Sequence, residues 1–173
     1  MKDILLINVF GEDKPGVTNA VTNVLSIYEV TILDIGQAVI HDQLNLGLLA
    51  AIPSAADTDA LIAQIETCVS GLEMRVKFLP ISEHRYQQWV LQQGKSRHIV
   101  TLLGRKIEAQ HLAALTAVVT KYQLNIDKIV RLSGRINLHE SDQLGRACVE
   151  LSVRGEASDP HAFKKSLLEL AHQ

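Results

Sequence analysis

The hydrophobic residues of this chain alternate between strand-like runs and helix-like spacing. The first half predicts six elements, with the periodicities near 2 and 3.6 that are typical of strands and helices. In chain order they are a strand over residues 4–10, a helix over 15–28, strands over 30–40 and 44–52, a helix over 57–71 and a strand over 74–80. The order β-α-β-β-α-β predicts a ferredoxin-like domain of the α+β class.

The second half repeats this order without its last strand. We predict a strand over residues 98–103, a helix over 109–122, strands over 125–132 and 147–153, and a helix over 160–171. Gly11 and Gly104 are 93 residues apart, as are Asp34 and Asp127, so one offset relates the two halves. The extra residues of the second half, 133–144, predict an exposed loop. Because the missing strand would leave a sheet edge unpaired, we expect a fragment of a longer chain or a cover from outside the domain.

These patterns predict two domains, at residues 1–81 and 97–173, the second incomplete at its C-terminus. The segment between them, residues 82–96, is mostly polar and predicts a linker. It carries one aromatic pair, Tyr86 and Trp89. We interpret Trp89 as an anchor that holds the linker to a domain surface, and a stacking platform is the alternative.

A glycine- and proline-containing turn follows the first strand. Gly11 and Gly16 carry no Cβ, so a backbone or a small ligand can approach them closely, and Pro15 suits a first helical turn. The free N–H groups of that turn favour an anion, and Asp13 could accept from an ammonium group. A carboxylate next to an ammonium group is the signature of a free α-amino acid. Turn geometry alone would also require these glycines and the proline.

Charge and composition narrow the class of protein. The net charge of −2 argues against a nucleic-acid partner, because such binding depends on basic surface. No apolar run approaches the roughly 20 residues of a membrane helix, and the start does not resemble a signal peptide. We therefore expect a cytoplasmic protein with no membrane partner, whose Cys68 and Cys148 are buried free thiols.

Catalytic and metal-binding patterns are not evident. The sequence Asp57-Thr58-Asp59 is the only Asp-x-Asp, and it opens a predicted helix, so we interpret it as a cap and not as a phosphoryl-transfer nucleophile. No two of the seven histidines stand three to five residues apart. We predict no catalytic residue and no metal ligand in this chain.

The turn Gly11-Glu12-Asp13-Lys14-Pro15-Gly16, after the first strand of a βαββαβ unit, resembles that of ACT domains, which are small-molecule-sensing modules. The whole chain resembles the N-terminal regulatory region of the long bacterial phosphoserine phosphatases, in which two tandem ACT domains precede a haloacid-dehalogenase-type catalytic domain. Further matching segments are residues 32–42, 86–90, 97–103, 125–127, 131–135 and 152–156.

This resemblance implies a parent enzyme that hydrolyses O-phospho-L-serine to L-serine and phosphate with Mg²⁺, through an aspartyl-phosphate intermediate. The catalytic domain would be a missing C-terminal partner, and this chain itself would hold no cofactor. The resemblance also implies that the ACT pair binds a small amino acid, L-serine by this reading, for feedback control. It implies a homo-oligomer, and we expect a dimer.

The resemblance also assigns candidate ligand-binding residues. From the first repeat they are Gly11, Asp13, Pro15, Gly16 and Val17 in the turn, with Asp34, Gly36 and Gln37 of the second strand completing the site of a neighbouring domain. The second repeat departs from the motif, because the residues after Gly104 contain no Asp-x-Pro-Gly. We therefore expect it to act as a structural partner, through Gly104, Asn125 and Asp127.

Two other functions stay open at this point. One is a stand-alone regulator with two ACT domains, of the glycine-cleavage-repressor type, which acts through protein partners. The other is a structural dimerisation module that binds no ligand. Stabilisation by an amino acid would count against the second.

Overall fold

The computed structural model of the chain describes residues 3–134 and 147–170. Within it the chain forms two compact units, Met1–Trp89 (unit 1) and Val90–Gln173 (unit 2). Most of the predicted loop over residues 133–144, and the end of the last predicted helix, lie outside the described residues. Each unit is considered by itself below.

Unit 1 has the predicted βαββαβ order, followed by one further helix. Its elements are β1 (Asp3–Glu12), α1 (Val17–Ile27), β2 (Thr31–Ile40), β3 (Gln43–Ile52), α2 (Thr58–Gly71), β4 (Arg75–Ile81) and α3 (Glu83–Gln93), the last of which crosses the boundary to unit 2. The strands form one antiparallel sheet in the order β2-β3-β1-β4. This is the ferredoxin-like arrangement that the sequence predicts.

The core of unit 1 lies between one face of this sheet and the helices α1 and α2. Alternate residues of β1 point to opposite faces, and Leu5, Ile7 and Val9 are the buried ones. The helices contribute residues at helical spacing, among them Val21 and Ile65. Each fully buried aliphatic side chain of this size contributes about 1.5–3 kcal/mol. The opposite face of the sheet, here called the outer face, is left half-exposed.

The segment predicted as a linker forms the helix α3, and the boundary between the two units falls inside it. None of the residues of α3 is fully buried. Tyr86 and Trp89 are half-buried, and the centroids of their rings are 6.0 Å apart. The aromatic pair is therefore the half-buried apolar part of α3, which also carries the exposed Val90 and Leu91.

Unit 2 repeats the first five elements of this fold. They are β5 (Arg97–Gly104), α4 (Ala109–Lys121), β6 (Asn125–Arg131), β7 (Ala147–Arg154) and α5 (Pro160–Leu170). The sheet has the order β5-β7-β6, so among the described residues β5 is paired along one edge only. Among residues 97–134 and 147–170, no strand corresponds to the one that β4 supplies in unit 1. The prediction of an incomplete second domain is confirmed.

Three local predictions can be compared with the structure. The side chain of Asp57 accepts from the N–H of Ala60 at 3.0 Å, which confirms that Asp57 caps α2. The prediction for Pro15 is wrong: α1 begins at Val17, because Gly16 takes a left-handed conformation and so ends the turn. Cys68 and Cys148 are free thiols, but both are half-buried and not buried.

Candidate functional site

Glycine is required at two positions, one at the end of β1 and one at the start of α1. Gly11 has a φ of 155°, and a Cβ built on it would lie 3.2 Å from Cγ and 3.3 Å from Cα of Met74. Gly16 has a φ of 91° and is the N-cap of α1, with open space where a Cβ would be. Gly11 therefore allows close packing, whereas Gly16 leaves the helix end accessible.

The N-terminus of α1 is not capped by a side chain. The first backbone bond of the helix runs from the N–H of Ala20 to the carbonyl of Gly16 at 2.9 Å. The N–H groups of Val17, Thr18 and Asn19 have no acceptor within the part of the chain that the structure describes. Since α1 also has no acidic residue in its first turn, these N–H groups and the helix dipole favour an anion there.

A cavity of about 350 Å³ opens in front of this helix end. It is lined by the turn residues 13–19 together with Gln37 and Leu44. The Oε1 of Gln37 accepts from the hydroxyl of Thr18 at 2.6 Å, which holds β2 against the start of α1. The cavity thus combines helix N–H donors, a carboxylate on Asp13 and polar side chains from two elements.

Lys14 holds the turn to the connection between α2 and β4. Its Nζ lies 2.6 Å from Oε2 of Glu73 and donates to the carbonyl of Leu72 at 3.3 Å. The hydrogen bond between them raises the pKa of Lys14 and lowers the pKa of the Glu73 carboxyl. On the other side, the N–H of Asp13 donates to the carbonyl of Asp42 at 2.7 Å. The carboxylate of Asp13 has no partner among the described residues, so it is available to a ligand.

The candidate residues of β2 do not all face this cavity. Gln37 is paired with the buried Leu46, so its side chain lies on the helix-covered face. Asp34 and Gly36 are paired with Leu49 and Gly47 and lie on the outer face. The structure therefore brings Asp13, Pro15, Gly16, Val17 and Gln37 around one cavity within unit 1. Completion of a site by Asp34 and Gly36 of a neighbouring domain stays a prediction.

The corresponding turn of unit 2 is closed by its own side chains. Glu108 is the N-cap of α4, and its N–H donates to Nδ1 of His111 at 2.9 Å in a capping-box arrangement. Lys106 lies 2.7 Å from Glu108, and their hydrogen bond lowers the pKa of the Glu108 carboxyl. A Cβ on Gly104 would lie 3.3 Å from the carbonyl oxygen of Lys106. Glu108 and His111 thus contact each other across the first turn of α4, whereas the first turn of α1 has no such side-chain contact.

The two remaining candidates of unit 2 lie on β6. The Nε of Arg154 donates to Oδ2 of Asp127 at 2.7 Å, and the same guanidinium bonds Gln93. Asn125 is exposed and is paired with Arg154 in the sheet register. Asp127 is therefore engaged in an ion pair within its own unit.

Lys14 and Glu73 contribute to the geometry of the site but are not among the predicted residues. The signal for Lys14 is its position between Asp13 and Pro15, inside the turn motif itself. Glu73 carries no comparable signal, because its role depends on a tertiary contact across 59 residues. Thr18 also carries no signal in the sequence, because its role depends on the hydrogen bond to Gln37 that the fold creates.

Neither metal binding nor membrane spanning has support in the described residues. Those residues include no group of three or more His, Cys, Asp and Glu side chains that could hold a metal ion. The Mg²⁺ that the resemblance assigns to a parent enzyme therefore has no ligand set in this part of the chain. No helix among residues 3–134 and 147–170 is long and apolar enough to cross a bilayer.

Comparison with known proteins gives relatives for both units. A family model described as ACT domain matches residues 3–79, and a second model with the same description matches residues 96–137. A phosphoserine phosphatase from Streptomyces coelicolor is 29% identical over 157 residues, which is 90% of this chain and 35% of that protein. Phosphoserine phosphatase SerB2 from Mycobacterium tuberculosis is 33% identical over 130 residues, which is 75% of this chain and 31% of that protein. The chain spans about a third of the length of these curated relatives.

Solved structures similar to the whole chain support the fold. A protein of unknown function from Galdieria sulphuraria has a TM-score of 0.70 at 14% identity, over 99% of this chain and 91% of that one. A putative glycine cleavage system transcriptional repressor has a TM-score of 0.62 at 15% identity, over 99% of this chain and 92% of that one. Together with the family matches, these likenesses show that the chain belongs to the ACT-domain family, with two ACT domains in tandem like the corresponding region of phosphoserine phosphatases.

Proposed function

We propose that this chain is the amino-acid-sensing region of a phosphoserine phosphatase and that it binds L-serine, or another small amino acid, at the turn between β1 and α1. The observation that carries the proposal is the uncapped N-terminus of α1, which opens into a cavity beside the unpaired carboxylate of Asp13. The two curated relatives described above are phosphoserine phosphatases, which supports the choice of enzyme.

The proposed binding mode uses complementary charge at each end of the ligand. The ligand carboxylate accepts from the free N–H groups of Val17 and Thr18, where the helix dipole adds to the attraction. The ligand ammonium donates to Asp13, in the charge-assisted contact that such pairs form at short distance. Asn19 lines the same cavity and offers an amide to a serine hydroxyl. A small ligand suits a cavity that also holds the side chains of Lys14 and Gln37.

Control of the enzyme would follow from linkage. A ligand that binds one arrangement of the domains more tightly shifts the population towards it, and can change activity elsewhere in this way. In this proposal, hydrolysis of O-phospho-L-serine with Mg²⁺ belongs to a catalytic domain outside these 173 residues. The chain itself supplies the ligand site and the contacts that transmit binding.

We also propose that the chain forms a homodimer through the free edge of β2. This strand lies at the end of its sheet and exposes Ile35 and Ile40, of which 52% and 73% are accessible. An edge strand with exposed apolar residues offers both backbone hydrogen bonds and apolar area to a second copy. Sedimentation of the wild type and of Ile35→Lys tests this: the wild type should be a dimer and the variant a monomer.

A stand-alone regulator that acts through protein partners is the second candidate function. It is favoured by one observation, the likeness to a putative glycine cleavage system transcriptional repressor over 99% of this chain and 92% of that one. It predicts that binding of an amino acid changes association with another protein and not the rate of a phosphatase.

Thermal unfolding in the presence of each of the twenty amino acids tests the first proposal. A ligand at 100 times its dissociation constant stabilises the folded state by about 2.7 kcal/mol, which corresponds to a rise of roughly 5–10 °C in Tm. We expect this rise with serine in the wild type and in the control variant Glu66→Ala, whose side chain is exposed on α2. We expect its loss in Asp13→Ala. No rise with any amino acid, in this chain and in the longer enzyme alike, would contradict the proposal.

A further inference from the structure

A second cavity lies in unit 1, on the side of the sheet away from α1 and α2. Leu6 of β1 is paired with Leu49 of β3, and both point to the outer face. Together with Ile81 they form an apolar floor, and α3 lies over it with Tyr86 and Trp89 as the aromatic wall. The volume of the cavity is about 240 Å³, and every residue that lines it belongs to unit 1.

Two opposite charges complete the lining, Asp34 from β2 and Arg85 from α3. One carboxylate oxygen of Asp34 accepts from the N–H of Ile35 at 3.0 Å. The other oxygen, and the guanidinium of Arg85, have no partner among the described residues, and the two groups do not pair with each other. Opposite charges that share a cavity without forming an ion pair leave room for a ligand that carries both.

The aromatic wall suits the same kind of ligand. The rings of Tyr86 and Trp89 are tilted by 33° with their centroids 6.0 Å apart. Their faces can pack against an apolar side chain, and they can also attract an ammonium group held near the carboxylate of Asp34. The floor residues Leu6, Leu49 and Ile81 offer only apolar surface, which favours an aliphatic or aromatic body over a hydroxyl group.

We propose that this cavity is a second ligand site, specific for a zwitterion with an apolar body, the chemical class of the apolar α-amino acids. The ammonium group lies at Asp34 and the carboxylate at Arg85, while the side chain packs between the sheet and the aromatic pair. The site is distinct from the cavity at α1, which lies at the helix-covered side of the sheet and is lined mainly by a polar turn. The proposal does not depend on serine binding there.

Fluorescence gives a direct test, because Trp89 is the only tryptophan of the chain. The emission of Trp89 in the full chain is titrated with leucine, methionine, valine and phenylalanine, and with serine and glycine for comparison. We expect a saturable change with at least one apolar amino acid and a weaker response to serine and glycine. The dissociation constant should rise at least tenfold in Asp34→Asn and in Arg85→Gln, since each removes a charged partner of the ligand.

Matched controls separate this site from the rest of unit 1. Asp34→Asn keeps an oxygen that can accept from the N–H of Ile35, so the local backbone is retained. Arg75→Gln and Glu66→Gln remove exposed charges outside the cavity, and both should bind like the wild type. The test for serine binding at α1 uses a different measurement, Tm, and a different variant, Asp13→Ala. Either proposal can therefore be disproved while the other stands.

Three results would overturn the proposal. The first is the absence of any saturable change in Trp89 emission with the amino acids tested. The second is unaltered affinity in both Asp34→Asn and Arg85→Gln. The third is an emission that depends on protein concentration and not on ligand, because the cavity would then be filled by a side chain from a second copy of the chain.

Discussion

The turn before α1 and the turn before α4 occupy the same place in two copies of one fold, yet one is open and the other closed. Gly16 caps α1 without a side chain, whereas Glu108 and His111 close the end of α4. In both units the first N–H groups of the helix have no acceptor within the helix itself. The difference teaches that an ACT domain can place side chains across this helix end or leave it without them, and of the two units unit 1 leaves it open.

The largest effect that distinguishes the two turns should come from their glycines. Gly11→Ala places a Cβ against Met74 at a positive φ, so we expect the free energy of unfolding of unit 1 to fall by about 2–3 kcal/mol. Gly104→Ala meets only backbone atoms of Lys106, the nearest at 3.3 Å, and should cost less than about 1 kcal/mol. Urea unfolding followed by Trp89 emission reports on unit 1, and hydrogen exchange of the β7 amides reports on unit 2. Equal losses of unfolding free energy in the two variants would show that the two glycines do not differ in their packing requirement.

The second effect concerns the two aspartates that the repeat offset relates. Asp127→Ala removes a partner of Arg154, whose side chain is only 19% exposed, so we expect a loss of about 1–2 kcal/mol from unit 2. Asp34→Ala breaks no ion pair and should change the stability of unit 1 by less than about 0.5 kcal/mol. Hydrogen exchange and urea unfolding measure the two losses. A larger loss at Asp34 would show that it is paired after all.

The third effect tests the closed cap itself. His111→Ala removes the acceptor of the Glu108 N–H, and we expect unit 2 to lose about 1 kcal/mol. Asn19 holds the same third helical position in α1 and makes no capping bond, so Asn19→Ala should be almost neutral in the absence of ligand. Hydrogen exchange at the first turn of each helix measures both.

The smallest effect is a pH dependence at the open turn. The hydrogen bond from Lys14 lowers the pKa of Glu73, so this ion pair stabilises unit 1 above the ordinary pKa of a glutamate. Its contribution is lost as the pH falls through the lowered pKa of the folded state. NMR titration of the Glu73 carboxyl should return the ordinary pKa in Lys14→Met. An unchanged pKa of Glu73 in that variant would show that the ion pair with Lys14 does not stabilise the turn.

The fold was predictable because both repeats keep their periodicity throughout. Leu5, Ile7 and Val9 alternate, and the repeat offset places Gly104 and Asp127 on the equivalent elements. The helix α3 was not predicted, because its sequence is mostly polar and its four apolar residues, Tyr86, Trp89, Val90 and Leu91, form only a short stripe.

The site was predictable only in part. The turn residues were found from a local motif, but the facing of β2 depends on a register shift between Ile32 and Asp34. Such a bulge moves the side chains that follow it to the other face, and alternation alone does not reveal it. Asp34 and Gln37 both follow the bulge and are three residues apart, so alternation itself places them on opposite faces, where they line different cavities.

The contact between Gly11 and Met74 also has a chemical consequence. Met74 is only 6% exposed, so an oxidant reaches its sulfur only when the connection before β4 opens. The sulfoxide would add a polar oxygen to a side chain that packs in the hydrophobic core of unit 1, so the oxidised chain cannot repack Met74 as before. The rate at which peroxide oxidises Met74 therefore reports how often the turn opens. A ligand that keeps the turn closed should lower this rate.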